Sequence, residues 1–276
     1  MGTSFGSERP VAMTVAGSDS GGGAGIQADL LTFDALRVHG TSALTCLTAQ
    51  NPDGVSDVLP VPGAFVVEQM RQIMHYFSVS AMKTGMLYSA EIIRGVSRFL
   101  AENPGIRVVT DPVMVATSGA TLLQADAIRT LREDLLPRAF LITPNLDEAA
   151  VLLEERPADS DAMIDGGRRL RADYGCAVLM KGGHLEGDRV TDVLIDVSGE
   201  PRVFEYARIR ETDTHGSGCV FSAAIAAYLA RGLETPHAVG EARAFLQQAL
   251  LKGKVLSGRT FMDPGTGGVR EERENR

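Results

Sequence analysis

The chain has 276 residues, 44% hydrophobic and 22% charged, which is enough for one large α/β domain or two smaller ones. Twenty-seven basic against 35 acidic side chains leave a formal charge of −8, which argues against a general nucleic-acid or membrane surface. Cys46, Cys176 and Cys219 lie far apart with no CxxC pair, which excludes a zinc-ribbon pattern and a disulfide framework and leaves reduced thiols.

The first residues, MGTSFGSERP, lack the apolar core of a signal peptide, and no apolar run approaches the roughly 20 residues that span a bilayer. A soluble cytoplasmic protein is expected. Val11–Ala16 is a short apolar run ending in Gly17, a buried-strand signal. The glycine-rich stretch 17–25 follows. A helix comes next, with Ile26, Leu30, Phe33 and Leu36 on one side and Gly40 closing it. Thr41–Gln50 and Val55–Val61 read as strands, Ala64–Tyr76 as a helix, and Val79–Lys83 as a strand ending at Thr84-Gly85. Ala90–Glu102 is helical, Arg107–Thr110 is a strand ending in Asp111-Pro112, and Ala125–Leu135 is helical again. Phe140–Ile142 is a strand ending in Thr143-Pro144-Asn145; helices follow at Leu146–Leu153 and Ala162–Tyr174, then a strand at Ala177–Met180 ending in Lys181-Gly182-Gly183. Val190–Val197 and Val203–Tyr206 fit a strand pair, and two helices begin at Cys219 and about Pro236.

This alternation predicts a mainly parallel sheet with helices on both faces, in one domain over 1–276, with flexible ends at 1–10 and about 265–276. The strands near 41–61 break the β-α-β rhythm and suggest a small edge flap.

In open parallel sheets ligands bind beyond the carboxyl ends of the strands. Gly17-Ser18-Asp19, Lys83-Thr84-Gly85, Asp111-Pro112, Thr143-Pro144-Asn145 and Lys181-Gly182-Gly183 all fall at that edge. GSDSGGGAG at 17–25 lacks the Lys-Ser/Thr of a P-loop and breaks dinucleotide spacing, so it is either a close-approach loop or a tight turn. Asn145 and Glu148 in NLDE form a capping box or a polar pair for phosphate-bound magnesium. Asp29 is an exposed helix carboxylate or points into the site. Gln50, His215 and Met86 each admit a ligand contact or an ordinary structural role. In DTHGSGC, Gly216, Ser217 and Gly218 open a helix whose unpaired N–H groups suit an anion. There Cys219 is either a thiol that ionises readily at the helix start or an inert buried one.

Taken together, AGSDSGGGAGIQAD (16–29), LTAQNPDGV (47–55), KTGML (83–87), DPVMVATSGATLL (111–123), ITPNLDEA (142–149), VLMKGGH (178–184) and THGSGC (214–219) resemble hydroxymethylpyrimidine/phosphomethylpyrimidine kinases of thiamine biosynthesis, within the ribokinase-like superfamily. The resemblance covers nearly the whole chain, apart from about ten N-terminal residues and the tail after about Gly258. It implies a three-layer ribokinase-like α/β fold and transfer of the ATP γ-phosphoryl to 4-amino-5-hydroxymethyl-2-methylpyrimidine, then to its monophosphate, with ATP and Mg²⁺.

By the same resemblance the N–H groups of Gly216, Ser217 and Gly218 form an anion hole, and Cys219 accepts the hydroxymethyl proton. Gly17, Asp29, Gln50, Met86 and Val113 form the pyrimidine site. Lys181, Asn145, Glu148 and Thr214 serve the nucleotide, and Asp111 and Glu148 the metal. Some relatives carry Lys where this chain has Thr117. A homodimer is expected, with a small-molecule substrate and no nucleic-acid or membrane partner. Pyridoxal kinase activity is the nearest rival, and a non-catalytic vitamin-precursor or nucleotide sensor the more distant one.

Overall fold

The computed structural model describes residues 8–266 apart from 115–122, 124, 184 and 186. Most of the expected flexible ends, and Thr117, therefore lie outside the described residues. The strands are β1 (Val11–Ala16), β2 (His39–Leu44), β3 (Cys46–Asn51), β4 (Gly54–Pro60), β5 (Val79–Thr84), β6 (Arg107–Thr110), β7 (Leu141–Ile142), β8 (Ala177–Lys181), β9 (Arg189–Ile195), β10 (Pro201–Ala207), β11 (Lys254–Leu256) and β12 (Arg259–Phe261). The helices are α1 (Gly25–Ala35), α2 (Gly63–Tyr76), α3 (Ala90–Glu102), α4 (Ala125–Thr130), α5 (Leu146–Leu153), α6 (Ser160–Tyr174), α7 (Ser217–Ala230) and α8 (Thr235–Leu251).

Eight strands form one sheet in the order β10-β9-β8-β7-β6-β5-β1-β2. β1, β2 and β5–β8 run parallel; β9 and β10 close one edge as an antiparallel hairpin. Neighbouring residues on each parallel strand point to opposite faces, and both faces are dry. Met82, Val108, Ile142 and Val178 meet Val66, Ile93, Leu146 and Leu170 from α2, α3, α5 and α6. Ala81, Val109, Leu141 and Leu179 meet Phe33, Ile225 and Val239 from α1, α7 and α8. The result is the expected three-layer α/β architecture.

The stretch predicted as a single strand over Thr41–Gln50 is two. β2 stays on the main sheet beside β1, whereas β3 leaves it and pairs with β4 as a separate hairpin. Thr45 marks the departure: its N–H donates to Ala16 O (3.1 Å) and its Oγ1 to Met86 O (2.7 Å). Residues on either side favour extended backbone equally, so periodicity alone does not reveal the bend. The β3–β4 hairpin is the edge flap. Serines 18 and 20 staple it to the glycine loop: Thr48 Oγ1 donates to Ser18 O, while Ser20 Oγ receives the Gln50 N–H and donates to Gln50 O.

The helix expected over Ala125–Leu135 ends as α4 at Thr130 and continues as a π-turn over Leu131–Leu135. α7, rich in alanine and buried almost all round, lies close against β5 and β6 between α1 and α8. Its small side chains permit that approach and bring its N-terminus to the carboxyl edge of the sheet.

Candidate active site

A pocket of about 460 Å³ opens at that edge. Its walls come from the ends of β1, β5, β6, β7 and β8, from the flap and from α7 and α8. Gly17, Gln50, Met86, Val113, Asp111, Asn145, Glu148, Lys181, Thr214 and Gly216 to Cys219 all line it. The structure thus brings together every expected site residue except Asp29.

The centre is a charge cluster. Lys181 Nζ donates to Asp111 Oδ1 at 2.7 Å, and Thr143 Oγ1 and Ser222 Oγ also donate to Asp111, each at 3.2 Å. Burial works against the Lys181 cation, but Asp111 and Glu148 overcome it and hold the ammonium charged. Asn145 and Glu148 form a complete capping box on α5. Asn145 Oδ1 accepts from the N–H groups of Asp147 and Glu148 (2.9 Å each), and Glu148 Oε2 accepts from Asn145 N–H (2.8 Å). Glu148 Oε1 takes no hydrogen bond from the described residues. Burial, opposed by Lys181, pushes the Glu148 carboxyl up to about 8. The cap occupies one oxygen of Glu148 and leaves the other uncommitted.

The turn before α7 is set by Gly216, at φ +79°, where a Cβ would run into the carbonyl oxygen of Gly23. A Cβ at Gly218 would sit 3.4 Å from Lys181 Nζ and 3.6 Å from Asp111 Oδ2, so the helix start faces the charge cluster directly. The expected donor set needs one correction. The Ser217 N–H turns back to Thr214 O (3.0 Å) and Val220 N–H bonds Gly216 O, leaving Gly216, Gly218 and Cys219 as the N–H groups without a partner among the described residues.

Cys219 needs a second correction. A helix start lowers a thiol's pKa when it is accessible to water. Here burial pushes the Cys219 thiol up; Lys83 and the Gly25 N–H pull it down, and Asp29 and Asp111 oppose them. Desolvation wins, so this half-buried thiol on the pocket wall gives up its proton less readily than a free one.

Asp29 stands behind the pocket rather than on its wall. Its side chain is fully buried, and both oxygens bind Lys83 Nζ (2.9 and 3.0 Å), with Thr14 Oγ1 donating at 2.6 Å. The polar face that α1 turns inward is satisfied by Lys83, and it is Lys83 that reaches the pocket wall. Asp29 therefore anchors Lys83 under the pocket and does not itself line it.

The glycine loop is organised by an internal anion. Asp19 Oδ1 accepts from Gly21 N–H (2.8 Å), and Oδ2 from Gly23 and Ala24 N–H (3.1 and 2.8 Å). These donors are therefore spent on a carboxylate and not offered to a phosphate. His215 Nε2 also reaches Asp19 Oδ2 at 3.1 Å, and that bond raises the imidazole's pKa despite burial.

On the other side of the charge cluster lies a second lobe, walled by Val190, Ala207, Ile209, Leu246 and Leu250. Arg243 and Asp192, both buried, form its polar end: Nε and Oδ2 stand 3.3 Å apart, and the guanidinium lies 5.1 Å from the Tyr206 ring centroid. Sequence reasoning missed this lobe, because its residues come from β9, β10 and α8, each with an ordinary amphipathic pattern. Asp19 and Lys83 were placed at the ligand-binding edge by the sequence but given no role there, and Ser222 was missed. For Lys83 the signal was a lysine inside an otherwise apolar strand.

The phosphomethylpyrimidine kinase family profile matches residues 19–262. The chain belongs to the phosphomethylpyrimidine kinase family. It is 45% identical over 241 residues to a hydroxymethylpyrimidine/phosphomethylpyrimidine kinase of Rhizobium meliloti, covering 87% of this chain and 90% of the relative. A bifunctional thiamine biosynthesis protein of Geobacter sulfurreducens is 45% identical over 238 residues; the match takes in 86% of this chain and spans about half (48%) of that longer protein. Among solved structures, a phosphomethylpyrimidine kinase from Clostridium difficile superposes with a TM-score of 0.78 at 36% identity, covering 87% of this chain and 99% of the other. An ADP complex of Bacillus subtilis pyridoxal kinase superposes with a TM-score of 0.84, also at 36% identity, covering 93% and 97%. The ribokinase-like fold and the kinase family expected from the motifs both stand.

Proposed function

We propose that this member of the family transfers the γ-phosphoryl of ATP to the hydroxymethyl group of 4-amino-5-hydroxymethyl-2-methylpyrimidine, and then phosphorylates the monophosphate to the diphosphate. The observation that carries the reading is the position of the charge cluster and the α7 start between two lobes of one pocket. One lobe is edged by Gln50, Met86, Val113 and Gly17 and suits a small heteroaromatic ring; the other is apolar and suits a nucleobase.

Phosphoryl transfer needs alignment and charge neutralisation more than covalent chemistry. Lys181 supplies a fixed positive charge to the transferring phosphates, and the N–H groups of Gly216, Gly218 and Cys219 receive the equatorial oxygens. Thr214, through its turn to Ser217, holds that hole open. Gln50 offers a donor and an acceptor to the aminopyrimidine edge. Cys219 must first lose its own proton to solvent, a step that Lys83 favours; the thiolate then takes the hydroxymethyl proton and returns to the thiol.

Glu148 fits a magnesium ion: its Oε1 takes no hydrogen bond from the described residues, and a cation beside it would favour the ionised carboxylate that burial opposes. Asp111 is the more occupied of the two candidates. Mg²⁺ in such sites takes one or two carboxylates and completes its shell with substrate phosphates and water. When bound, Mg²⁺ neutralises charge on the phosphate chain.

No helix among the described residues is long and apolar enough to cross a membrane. A cytoplasmic enzyme acting as a homodimer completes the proposal. Leu47 and Leu59, paired across the flap, and Phe65 at the start of α2 are exposed and suit a contact with a second copy. Sedimentation equilibrium tests it, a monomer at micromolar concentration being the contrary result.

Structural likeness to pyridoxal kinases favours pyridoxal as the second reading. ADP release with hydroxymethylpyrimidine, its monophosphate and pyridoxal offered in parallel separates the two. Turnover of both pyrimidines well above pyridoxal supports the proposal, and preference for pyridoxal overturns it.

A further inference from the structure

Gln50 and His215 meet across the ring lobe in a contact whose chemistry decides how the amide faces a substrate. His215 Nε2 lies 3.1 Å from Asp19 Oδ2 and 3.4 Å from Gln50 Nε2. An ionised carboxylate only accepts, so the hydrogen on that ring nitrogen belongs to the Asp19 bond. Nε2 then has no lone pair for the Gln50 NH₂, and two donors would face one another. The oxygen and nitrogen of a side-chain amide have nearly the same shape, so a half-turn about the last bond exchanges them. That turn replaces the opposing donor with Gln50 Oε1, a second and longer acceptor for the His215 N–H that Asp19 already holds.

Nothing else opposes it. The Gln50 side chain has no other hydrogen bond among the described residues. Its backbone is fixed in both directions by Ser20, at 2.6 and 2.7 Å, so the amide turn is the freedom that remains. Asp19 is fixed in turn by three loop N–H groups.

We propose that His215, oriented by Asp19, is a positioning residue that sets the polarity of the Gln50 amide, carbonyl toward His215 and NH₂ away from it. A planar aminopyrimidine edge then fits in one register, with its exocyclic amine on the His215 side and its ring nitrogen on the far side. This places the hydroxymethyl substituent at one end of the lobe and not the other. The inference deepens the pyrimidine-kinase reading and rests on it for the substrate; the histidine's protonation site does not.

Two measurements test it. In ligand-free protein labelled at histidine with ¹⁵N, His215 should carry hydrogen on Nε2 in both its neutral and protonated forms. A neutral form with a bare Nε2 overturns the proposal whatever the substrate is. In kinetics, the wild type should prefer the aminopyrimidine over its analogue lacking the exocyclic amine by about tenfold in kcat/KM, since the analogue forfeits the hydrogen bond from that amine to the Gln50 carbonyl. His215→Phe should reduce that preference to about threefold or less, mainly through KM for the pyrimidine, with KM for ATP unchanged. Gln50→Ala should do the same, and the double variant should lose nothing more. His215→Gln, which keeps a donor, should restore part of the preference. Undiminished preference in a folded His215→Phe protein sinks the proposal alone. Failure of the wild type to phosphorylate either pyrimidine would sink the substrate reading instead.

Discussion

Replacing Lys83 with Met leaves a carboxylate in the protein interior with no counter-charge. Asp29 and Lys83 both have fully buried side chains, and Lys83 Nζ contacts both Asp29 oxygens within 3.0 Å. After the change, Thr14 Oγ1 is the one donor left to Asp29 among the described residues. Removing one partner of a buried pair costs about 3–5 kcal/mol, because the other charge stays desolvated. Unfolding entropy of about 2.1 cal/mol/K per residue gives a chain of 276 residues about 0.6 kcal/mol/K, so Tm should fall by roughly 5–9 °C. Removing both charges, as Asp29→Asn with Lys83→Met, should recover most of that loss. Scanning calorimetry on the wild type, both single variants and the double variant provides the cycle. Activity supplies a second readout. The double variant, though folded, lacks the cation that favours the Cys219 thiolate, so the alkaline rise of its pH–rate profile should move to higher pH. A single variant within about 2 °C of wild type, or a double variant no more stable than Lys83→Met, would refute the reasoning.

Other consequences concern neighbouring groups. Because burial raises the Cys219 thiol, a general-base role makes kcat/KM climb with pH beyond the ordinary thiol value of about 8.5. Cys219→Ser should flatten that limb and cut turnover about 10²- to 10⁴-fold, which a pH series of ADP release would measure. Glu148 has a folded-state pKa near 8, above the unfolded value of about 4.3, so the folded state binds the extra proton and its stability falls as pH rises between those values. Glu148→Gln, which keeps the cap, should therefore gain Tm relative to wild type from pH 5 to pH 8 and hold a constant margin above that, while losing activity. Gly216→Ala forces a side chain into left-handed backbone and against Gly23 O; it should lower Tm by several degrees and raise KM for ATP, with little change in binding of the pyrimidine ring by calorimetry.

Much of the site was legible because strand-end residues announce themselves. Lys181-Gly182-Gly183 and Thr143-Pro144-Asn145 interrupt apolar runs, and the topology of a parallel sheet gathers such interruptions at one edge. The capping box, one of the two readings that NLDE offered, was legible because Asn145 and Glu148 are local to one another. Long-range pairing was not legible. Asp29 and Lys83 are 54 positions apart, and nothing in α1 tells an inward carboxylate with a partner from an exposed one. Cys219 shows the same limit in energetic form. Its place at a helix start is visible in the sequence, but the burial that outweighs the helix end depends on how α7 packs. The lobe built by Val190, Ala207 and Leu246 stayed hidden because each residue is ordinary in its own element.

The most direct test of the central claim identifies the products. Purified protein would be incubated with ATP, Mg²⁺ and hydroxymethylpyrimidine and followed by ³¹P NMR. A phosphomonoester signal, giving way to the coupled pair of a diphosphate monoester on the pyrimidine, is the predicted result. ATP left unchanged beside hydroxymethylpyrimidine, with a phosphomonoester forming once pyridoxal is supplied, would contradict the assignment.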